Sequence, residues 1–138
     1  MYYIINLELF YVQRGKGTDL PRITGGYHMA KYEKVVHGDF DDIINKLHDA
    51  VMKGSMSASY EDGSNFSNGD FQCAVRIYER YSAMGSNRVS LSITLVGGRG
   101  EYYLSAITSG GSQGIVFKLN TYGEESFLET IRDVMDSL

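Results

Sequence analysis

The segment from Val89 to Leu95 alternates apolar and hydroxyl-bearing side chains without interruption, and this alternation constrains the fold more than any other feature. Its apolar members are Val89, Leu91, Ile93 and Leu95, and its hydroxyl-bearing members are Ser90, Ser92 and Thr94. A β-strand points successive side chains to opposite faces of a sheet, so a period of two predicts a strand that is buried on one side. The chain is therefore expected to contain a sheet with one apolar face and one polar face.

Weaker alternation elsewhere predicts further strands, and glycine-rich or polar turns separate them. The predicted strands are 31–37, 56–60, 71–78, 89–95, 101–109 and 115–120. Turns are expected at 61–65, 85–87, 97–100 and 110–114. Short connections join neighbouring antiparallel strands, whereas parallel strands need long crossovers. The sheet is therefore expected to be antiparallel.

Two amphipathic helices are predicted, one after the first strand and one at the end of the chain. Asp39 is a suitable N-cap for the first helix, and Gly54 is expected to follow its last turn. The second helix is expected to begin with a capping box formed by Thr121 and Glu124. The apolar residues at helical spacing are Phe40, Ile43, Ile44, Leu47 and Val51 in the first helix, and Phe127, Leu128, Ile131, Val134, Met135 and Leu138 in the second.

These elements predict an α+β fold in the order β-α-β-β-β-β-β-α. Each helix has one apolar stripe and each strand has one apolar row. Both helices are therefore expected to pack on one face of a curved antiparallel sheet of about six strands. A chain of 138 residues has room for one hydrophobic core, so a single domain is expected.

The charge and the cysteine content argue against several classes of function. The net charge is −4 and the sequence has no basic run, which disfavours nucleic-acid binding because phosphate neutralisation supplies most of that affinity. Cys73 is the single cysteine, so an internal disulfide and a multi-cysteine metal site are ruled out. We therefore expect a cytoplasmic domain that uses no metal and no cofactor.

Residues 1–28 are expected to lie outside the folded domain, which occupies residues 29–138. Their apolar part is interrupted by Glu8, is too short to span a membrane, and lacks the cleavage site of a signal peptide. The run Gly25-Gly26-Tyr27-His28-Met29 can be encoded by GGA GGU UAU CAU AUG, a bacterial ribosome-binding site followed by a start codon. We interpret the leader as mis-annotated upstream translation, with a genuine extension as the alternative; the nucleotide sequence of the gene distinguishes them.

Several local motifs after the leader carry a family resemblance. They are Met29-Ala30-Lys31-Tyr32-Glu33, Gly38-Asp39-Phe40, Ser57-Ala58-Ser59-Tyr60-Glu61-Asp62, Arg76-Ile77-Tyr78-Glu79-Arg80-Tyr81, Asn87-Arg88-Val89-Ser90-Leu91, Leu104-Ser105-Ala106-Ile107-Thr108-Ser109-Gly110-Gly111-Ser112-Gln113 and Gly123-Glu124-Glu125. With these motifs, the chain from Met29 onward resembles the DUF6054 family of small bacterial proteins. The resemblance implies an origin in Gram-positive bacteria, and it implies no particular activity or catalytic residue.

The most distinctive candidate site is a polar sheet face. On a strand, Arg76, Tyr78 and Arg80 share the face opposite Cys73 and Val75. Neighbouring strands are expected to add hydroxyl groups to the same face, from Ser90, Ser92, Thr94, Tyr103, Ser105 and Ser109. Guanidinium groups bind anions through paired hydrogen bonds, so this face predicts an anionic-ligand site. A solvated face or one half of a sheet-stacked dimer is the alternative.

Three other candidate sites have structural explanations. The glycine-rich run from Ser109 to Gly114 is expected to be followed by a strand, which favours a hairpin turn over a phosphate-binding loop. Cys73 is expected to be a buried apolar thiol, and a catalytic pair with His37 or His48 is the less favoured alternative. The acidic residues Asp39, Asp41 and Asp42 are explained by helix capping, and Glu61, Asp62 and Asn65 lack the spacing of a calcium loop.

Our leading hypothesis is a non-enzymatic cytoplasmic domain that acts through its sheet, as a homodimer or by binding a partner protein. The alternative is a small anionic-ligand-binding domain that uses the polar sheet face, with or without enzymatic activity. Neither nucleic acid nor a membrane is expected as a partner.

Overall fold

The computed structural model describes residues 31–81, 88–110 and 117–138, with the backbone alone for 117–126. These residues form five strands and two helices in the order β-α-β-β-β-β-α, which confirms the predicted α+β class. The strands are β1 (Lys31–His37), β2 (Ser59–Asn68), β3 (Phe71–Tyr81), β4 (Arg88–Gly98) and β5 (Glu101–Gly110), and the helices are α1 (Phe40–Gly54) and α2 (Phe117–Ser137). The predicted leader and the predicted turn at 85–87 lie outside the described residues.

All strand pairs in the sheet are antiparallel, and the strand order is β1-β5-β4-β3-β2. Strands β2 to β5 form a meander, and β1 joins it beside β5. Strand β4 therefore occupies the centre of the sheet, and β1 and β2 are its edges. The β4–β5 hairpin turns at Arg99 and Gly100, both of which have positive φ, as a two-residue type I′ turn requires.

Helix α1 forms where its capping and apolar spacing predict it. The side chain of Asp39 accepts a hydrogen bond of 2.9 Å from the backbone nitrogen of Asp42, as expected of an N-cap worth about 1 kcal/mol. The five apolar residues of the predicted stripe are all buried. Ion pairs on the exposed side join Lys46 to Asp42 at 2.8 Å and Lys53 to Asp49 at 3.0 Å. Packing of the stripe therefore positions α1, and local interactions fix where it begins.

Gly54 is the last helical residue of α1, and Ser55 is the C-cap. The prediction that Gly54 would lie beyond the helix is therefore wrong by one position. A Cβ atom on Gly54 would lie only 2.9 Å from the Cβ of Thr130 in α2. The glycine at this position allows the two helices to approach closely.

The predicted sixth strand at 115–120 is wrong where it can be compared, because α2 begins at Phe117. Thr121 and Glu124 consequently lie inside the helix and do not form its N-terminal capping box. Ile115, Phe117 and Leu119 alternate in the sequence, but alternation over so few residues does not distinguish a strand from the start of a helix. Residues 115 and 116 lie outside the described part of the chain.

Strand β2 runs through residues 61–65, where the sequence predicted a turn. The register shifts between Tyr60 and Asp62, so Glu61 is the extra residue of a β-bulge, and the polar cluster does not break the strand. The turn lies further on, at Gly69 and Asp70, where Gly69 has a φ of +59°. A two-residue hairpin of this kind takes glycine at its first loop position.

Both helices pack on the same face of the sheet, which we call the inner face, as predicted. Helix α2 lies over β4 and β5, and its C-terminal end is held to β1. There the Tyr32 hydroxyl donates to Asp136 at 2.6 Å, and Lys34 Nζ donates to the backbone oxygens of Met135 and Asp136. The sheet contributes to the core Val36, Ala74, Tyr78, Val89, Leu91, Ile93, Leu95, Tyr102, Leu104 and Ala106.

Two glycines test how far close backbone packing limits the fold. A Cβ atom on Gly97 would collide with the backbone oxygen of Glu101 and lie 2.9 Å from the Cα of Tyr102, and its φ is +155°. Gly69 also has a positive φ, but a Cβ atom there would meet nothing within 4 Å.

We expect Gly97→Ala to lower the free energy of unfolding by about 3 kcal/mol. Gly69→Ala is expected to lower it by about 1 kcal/mol. Equal losses in urea denaturation would contradict this ranking.

Candidate functional site

The face of the sheet opposite the helices, which we call the outer face, is not covered by any described element. The strand register assigns its residues without ambiguity, because directly paired residues share a face. Val75, for example, pairs with Thr94, and Thr94 pairs with Ser105. The central part of this face consists of Val35, Phe66, Cys73, Val75, Ile77, Ser90, Ser92, Thr94, Val96, Tyr103, Ser105, Ile107 and Ser109.

One continuous apolar row crosses the outer face from edge to edge. In strand order it consists of Val35, Tyr103, Val96, Cys73 and Phe66, each paired with the next. Phe66 is 60% exposed, and its ring packs against that of Phe71 with centroids 6.2 Å apart. Hydroxyl-bearing side chains flank the row on β4 and β5. The outer face is therefore a surface of mixed apolar and hydroxyl character.

Charged side chains on the outer face lie at its margins, and three pairs of them are in contact. The pairs are Lys31–Glu33 at 3.1 Å, His37–Glu101 at 3.0 Å and Arg88–Glu79 at 2.8 Å. Five of the six side chains are exposed and Glu79 is partly buried, so the pairs contribute little to stability. Their positions leave the middle of the face without a charged residue.

Tyr103 connects the apolar row to the charged margin. Burial, and then its hydrogen bond to the Glu33 carboxylate, raise the pKa of Tyr103 to about 12. Burial alone would raise the pKa of Glu33, but the hydrogen bond from Tyr103 and the ammonium of Lys31 outweigh it and hold that pKa below its ordinary value. Tyr103 therefore presents a protonated, donating hydroxyl at physiological pH.

The residues of the predicted ligand site are divided between the two faces of the sheet. Ser90, Ser92, Thr94 and Tyr103 do lie together on the outer face, with Ser105 and Ser109 beside them. Arg76, Tyr78 and Arg80 lie on the inner face, under the helices. The expectation that these two sets share one face is therefore wrong, whereas ligand binding by either set remains a prediction.

The register between β3 and β4 explains the error. Tyr78 pairs with Leu91 and Arg76 pairs with Ile93, so the polar-looking side chains of β3 accompany the apolar row of β4. Val75 and Ile77 suggest a core strand by composition, but they face outward beside Thr94 and Ser92. Cys73 shares that outward orientation and is half-buried, so the prediction of a core thiol is also wrong.

An aromatic cluster on the inner face joins α1 to β2 and β3. His48 Nδ1 lies 3.0 Å from the hydroxyl oxygen of Tyr78, which is fully buried. The ring of Tyr60 contacts both, with centroids 5.8 Å from His48 and 5.7 Å from Tyr78. Burial raises the pKa of Tyr78 to about 12 although Arg76 opposes the shift, so its hydroxyl remains a hydrogen-bond donor.

Arg80 occupies a different part of the inner face, at the end of β3. Its guanidinium carbon lies 4.5 Å from the centroid of the Phe127 ring in α2, which is a cation–π contact. Burial lowers the pKa of this guanidinium. Arg80 therefore helps to hold α2 on the sheet.

The remaining candidate sites can also be compared with the structure. Cys73 and His48 lie on opposite sides of the sheet, so they do not form a catalytic pair. No group of three His, Cys, Asp or Glu side chains suited to a metal ion occurs among the described residues. The glycine-rich run to Gly114 is followed by α2, so the expectation of a following strand is wrong; most of the run lies outside the described residues.

These features define the class of the protein as a small α+β domain with one sheet face covered by helices and one that the described elements leave open. The chain belongs to the family of unknown function DUF6054, whose model matches residues 29–138. No curated protein matches the sequence significantly. Neither helix in the described part of the chain has the length and apolar content needed to cross a membrane.

Among solved structures, the chain is similar to the crystal structure of the Zhui aromatase/cyclase from Streptomyces sp. R1128. The two share 11% sequence identity, and the match covers 79% of this chain and 88% of the other. The TM-score is 0.23, which is too low to support an inference about fold or function.

The sequence analysis did not predict that His48 and Tyr60 belong to the aromatic cluster on the inner face. His48 lies four positions after Ile44 and directly after Leu47, at the border of the buried stripe of α1. This position was a usable signal that the imidazole faces the sheet. Tyr60 was assigned to a short strand that ends at a turn, which hid its pairing with Tyr78.

The raised pKa of Tyr78 predicts that the folded protein loses stability at alkaline pH. Unfolded tyrosine ionises near 10.0, whereas the folded protein holds Tyr78 protonated to about 12. Unfolding therefore releases a proton between these values, so the stability that Tyr78 contributes is complete below pH 10 and is lost as the pH rises towards 12. We expect Tyr78→Phe to lower the free energy of unfolding at pH 8 by about 1 kcal/mol. From pH 10 upward the variant should lose stability less steeply than the wild type. Parallel curves in urea denaturation would contradict this assignment.

Proposed function

We propose that the domain is a non-enzymatic cytoplasmic binding module that self-associates through its outer face. The observation that supports this proposal is the apolar row that crosses all five strands on a face that no described element covers. Apolar and hydroxyl side chains provide contact area, and among the described residues no carboxylate, imidazole or ammonium group lies at the centre of the face. The free thiol of Cys73 is compatible with the reducing cytoplasm.

The size of the outer face suits a second copy of the domain. Five strands spaced about 4.8 Å apart give a width of roughly 24 Å, and about eight residues per strand give a length of roughly 26 Å. The resulting area of roughly 600 Å² is of the same order as the 800 Å² that each partner buries in a typical specific interface. The face is therefore large enough for a stable dimer and does not need a further element.

The symmetry of the sheet favours the same partner. Because β4 is the central strand, a two-fold axis parallel to β4 places each row of the outer face over the same row of the second copy. Val96 then meets its own counterpart, and Tyr103 of one copy lies over Cys73 of the other. Stacked sheets cross at about 30°, which shifts the margins but preserves contacts near the axis. Apolar groups therefore meet apolar groups at the centre of the interface.

The proposal predicts that one charge at the centre of the outer face prevents association. Val96→Lys places two ammonium groups beside the axis, where burying them costs several kcal/mol. We expect the wild type to sediment as a dimer and this variant to sediment as a monomer. The matched control is Ser67→Lys, which adds the same charge to an exposed residue on the inner side of β2.

Analytical ultracentrifugation over a range of concentrations distinguishes the outcomes. A circular dichroism melt of each variant shows whether the fold is intact. A folded wild type that stays monomeric at high concentration would refute self-association. A Val96→Lys variant that dimerises as well as the wild type would show that another surface mediates it.

A further inference from the structure

Tyr60, Arg76 and His48 lie near one another on the inner face, beside the β2 edge and next to α1. A Cβ atom on Gly63 would collide with the hydroxyl of Tyr60 and would lie 3.0 Å from Cδ of Arg76. Both side chains therefore bend over Gly63, and the missing side chain provides the space they occupy. Tyr60 is 45% exposed, so solvent reaches this position.

Arg76 brings a positive charge that the described side chains do not neutralise. Its Nη1 donates to the backbone oxygens of Val75, at 2.9 Å, and Ser64, at 3.3 Å. It forms no ion pair with any carboxylate whose side chain the structure describes. Three other arginines do form such pairs, namely Arg88–Glu79, Arg99–Asp70 and Arg132–Glu129. Because a guanidinium has five N–H donors, Arg76 has donors left for a ligand.

His48 adds a further donor to the same cluster. The Tyr78 hydroxyl and Nδ1 of His48 are hydrogen-bonded at 3.0 Å, and we assign Tyr78 as the donor because its buried hydroxyl needs an acceptor. With this assignment the proton of the neutral ring is on Nε2, so that atom is a donor. Tyr60 packs edge-on against the His48 ring, which keeps the two side chains adjacent.

The nearest carboxylates of β2 are directed elsewhere. Glu61 accepts a hydrogen bond from Ser59 and, after Tyr81 and Glu79, helps to raise the pKa of Arg88 on the outer face. Asp62 pairs with the outward-facing Ile77, and its Oδ1 accepts the backbone N–H of Gly63 at 2.7 Å. Neither carboxylate of β2 therefore competes for the donors of Arg76, Tyr60 and His48.

We propose that Arg76, Tyr60 and His48 form a binding site for a small oxyanion, either a carboxylate or a phosphate group. Arg76 supplies the charge and the hydroxyl of Tyr60 supplies a neutral donor. His48, oriented by Tyr78, supplies the third donor. This site lies on the opposite side of the sheet from the self-association surface, so it goes beyond the proposed function and does not depend on it.

The test is an NMR titration of the full chain at pH 7 with sodium phosphate, sodium acetate or sodium chloride at constant ionic strength. We expect saturable shifts of the Gly63 amide and the His48 ring with phosphate, with acetate or with both, and no such shifts with chloride. Preference for phosphate or for acetate identifies the group that the site binds. Failure of both oxyanions to produce saturable shifts at these two residues would refute the proposal.

Variants connect the shifts to the cluster. Arg76→Gln removes the charge and should weaken binding about tenfold or more, since hydrogen bonds to charged groups are the strong ones. Arg99→Gln removes an equivalent charge from the β4–β5 turn and should leave affinity unchanged. Tyr60→Phe keeps the ring, and should weaken binding severalfold even if Arg76→Gln does not fold. Equal affinities for wild type and for every folded variant would refute the assignment.

The same titration on Val96→Lys separates the two proposals. Val96 faces outward, so oxyanion binding should persist in that variant whether or not the wild type dimerises. Loss of oxyanion binding in folded Val96→Lys would contradict the placement of the site on the inner face.

Discussion

The pairing register between β3 and β4 determines the chemistry of both faces of the sheet. It places Tyr78 opposite Leu91, in the core, and Ile77 opposite Ser92, on the outer face. A shift of one residue would exchange every side chain of β3 between the two faces. Tyr78 would then lose its hydrogen bond to His48, and Arg76 would move outward. The core, the open face and the donor cluster therefore all depend on this single alignment.

The exposed edge strand β2 depends on side-chain contacts more than on burial. All ten of its residues are exposed, so the hydrophobic effect contributes little to its position. Its ladder to β3 supplies backbone hydrogen bonds, and Tyr60 adds aromatic contacts to Tyr78 and His48. The bulge at Glu61 and the charged residues beside it discourage pairing with another chain along this edge. Association through the outer face is consequently more compatible with β2 than strand addition.

Features with a strong local cause could be predicted from the sequence. The Asp39 cap and the apolar spacing that follows it specified α1, and the alternation from Val89 to Leu95 specified β4 and its buried row. The orientation of β3 could not be predicted, because its alternating residues are apolar on one side and large and amphipathic on the other. Tyr78 can be buried because its hydroxyl is hydrogen-bonded to His48, and that partner comes from a separate element. The long-range contact decides the orientation, and no local pattern encodes it.

The two faces share the backbone of β3, and this limits how independent they are. Arg76 on the inner face donates to the backbone oxygens of Val75 and Ser64, which are paired residues of the outer face. An oxyanion that draws the guanidinium away from those oxygens would loosen the β2 side of the outer face. An oxyanion that leaves Nη1 of Arg76 in place would keep the β2 side of the outer face in position. Any such effect on self-association must appear reciprocally in oxyanion affinity. Because Val96 lies on β4, one strand away from these contacts, we expect the β2 margin of the proposed interface to respond more than its centre.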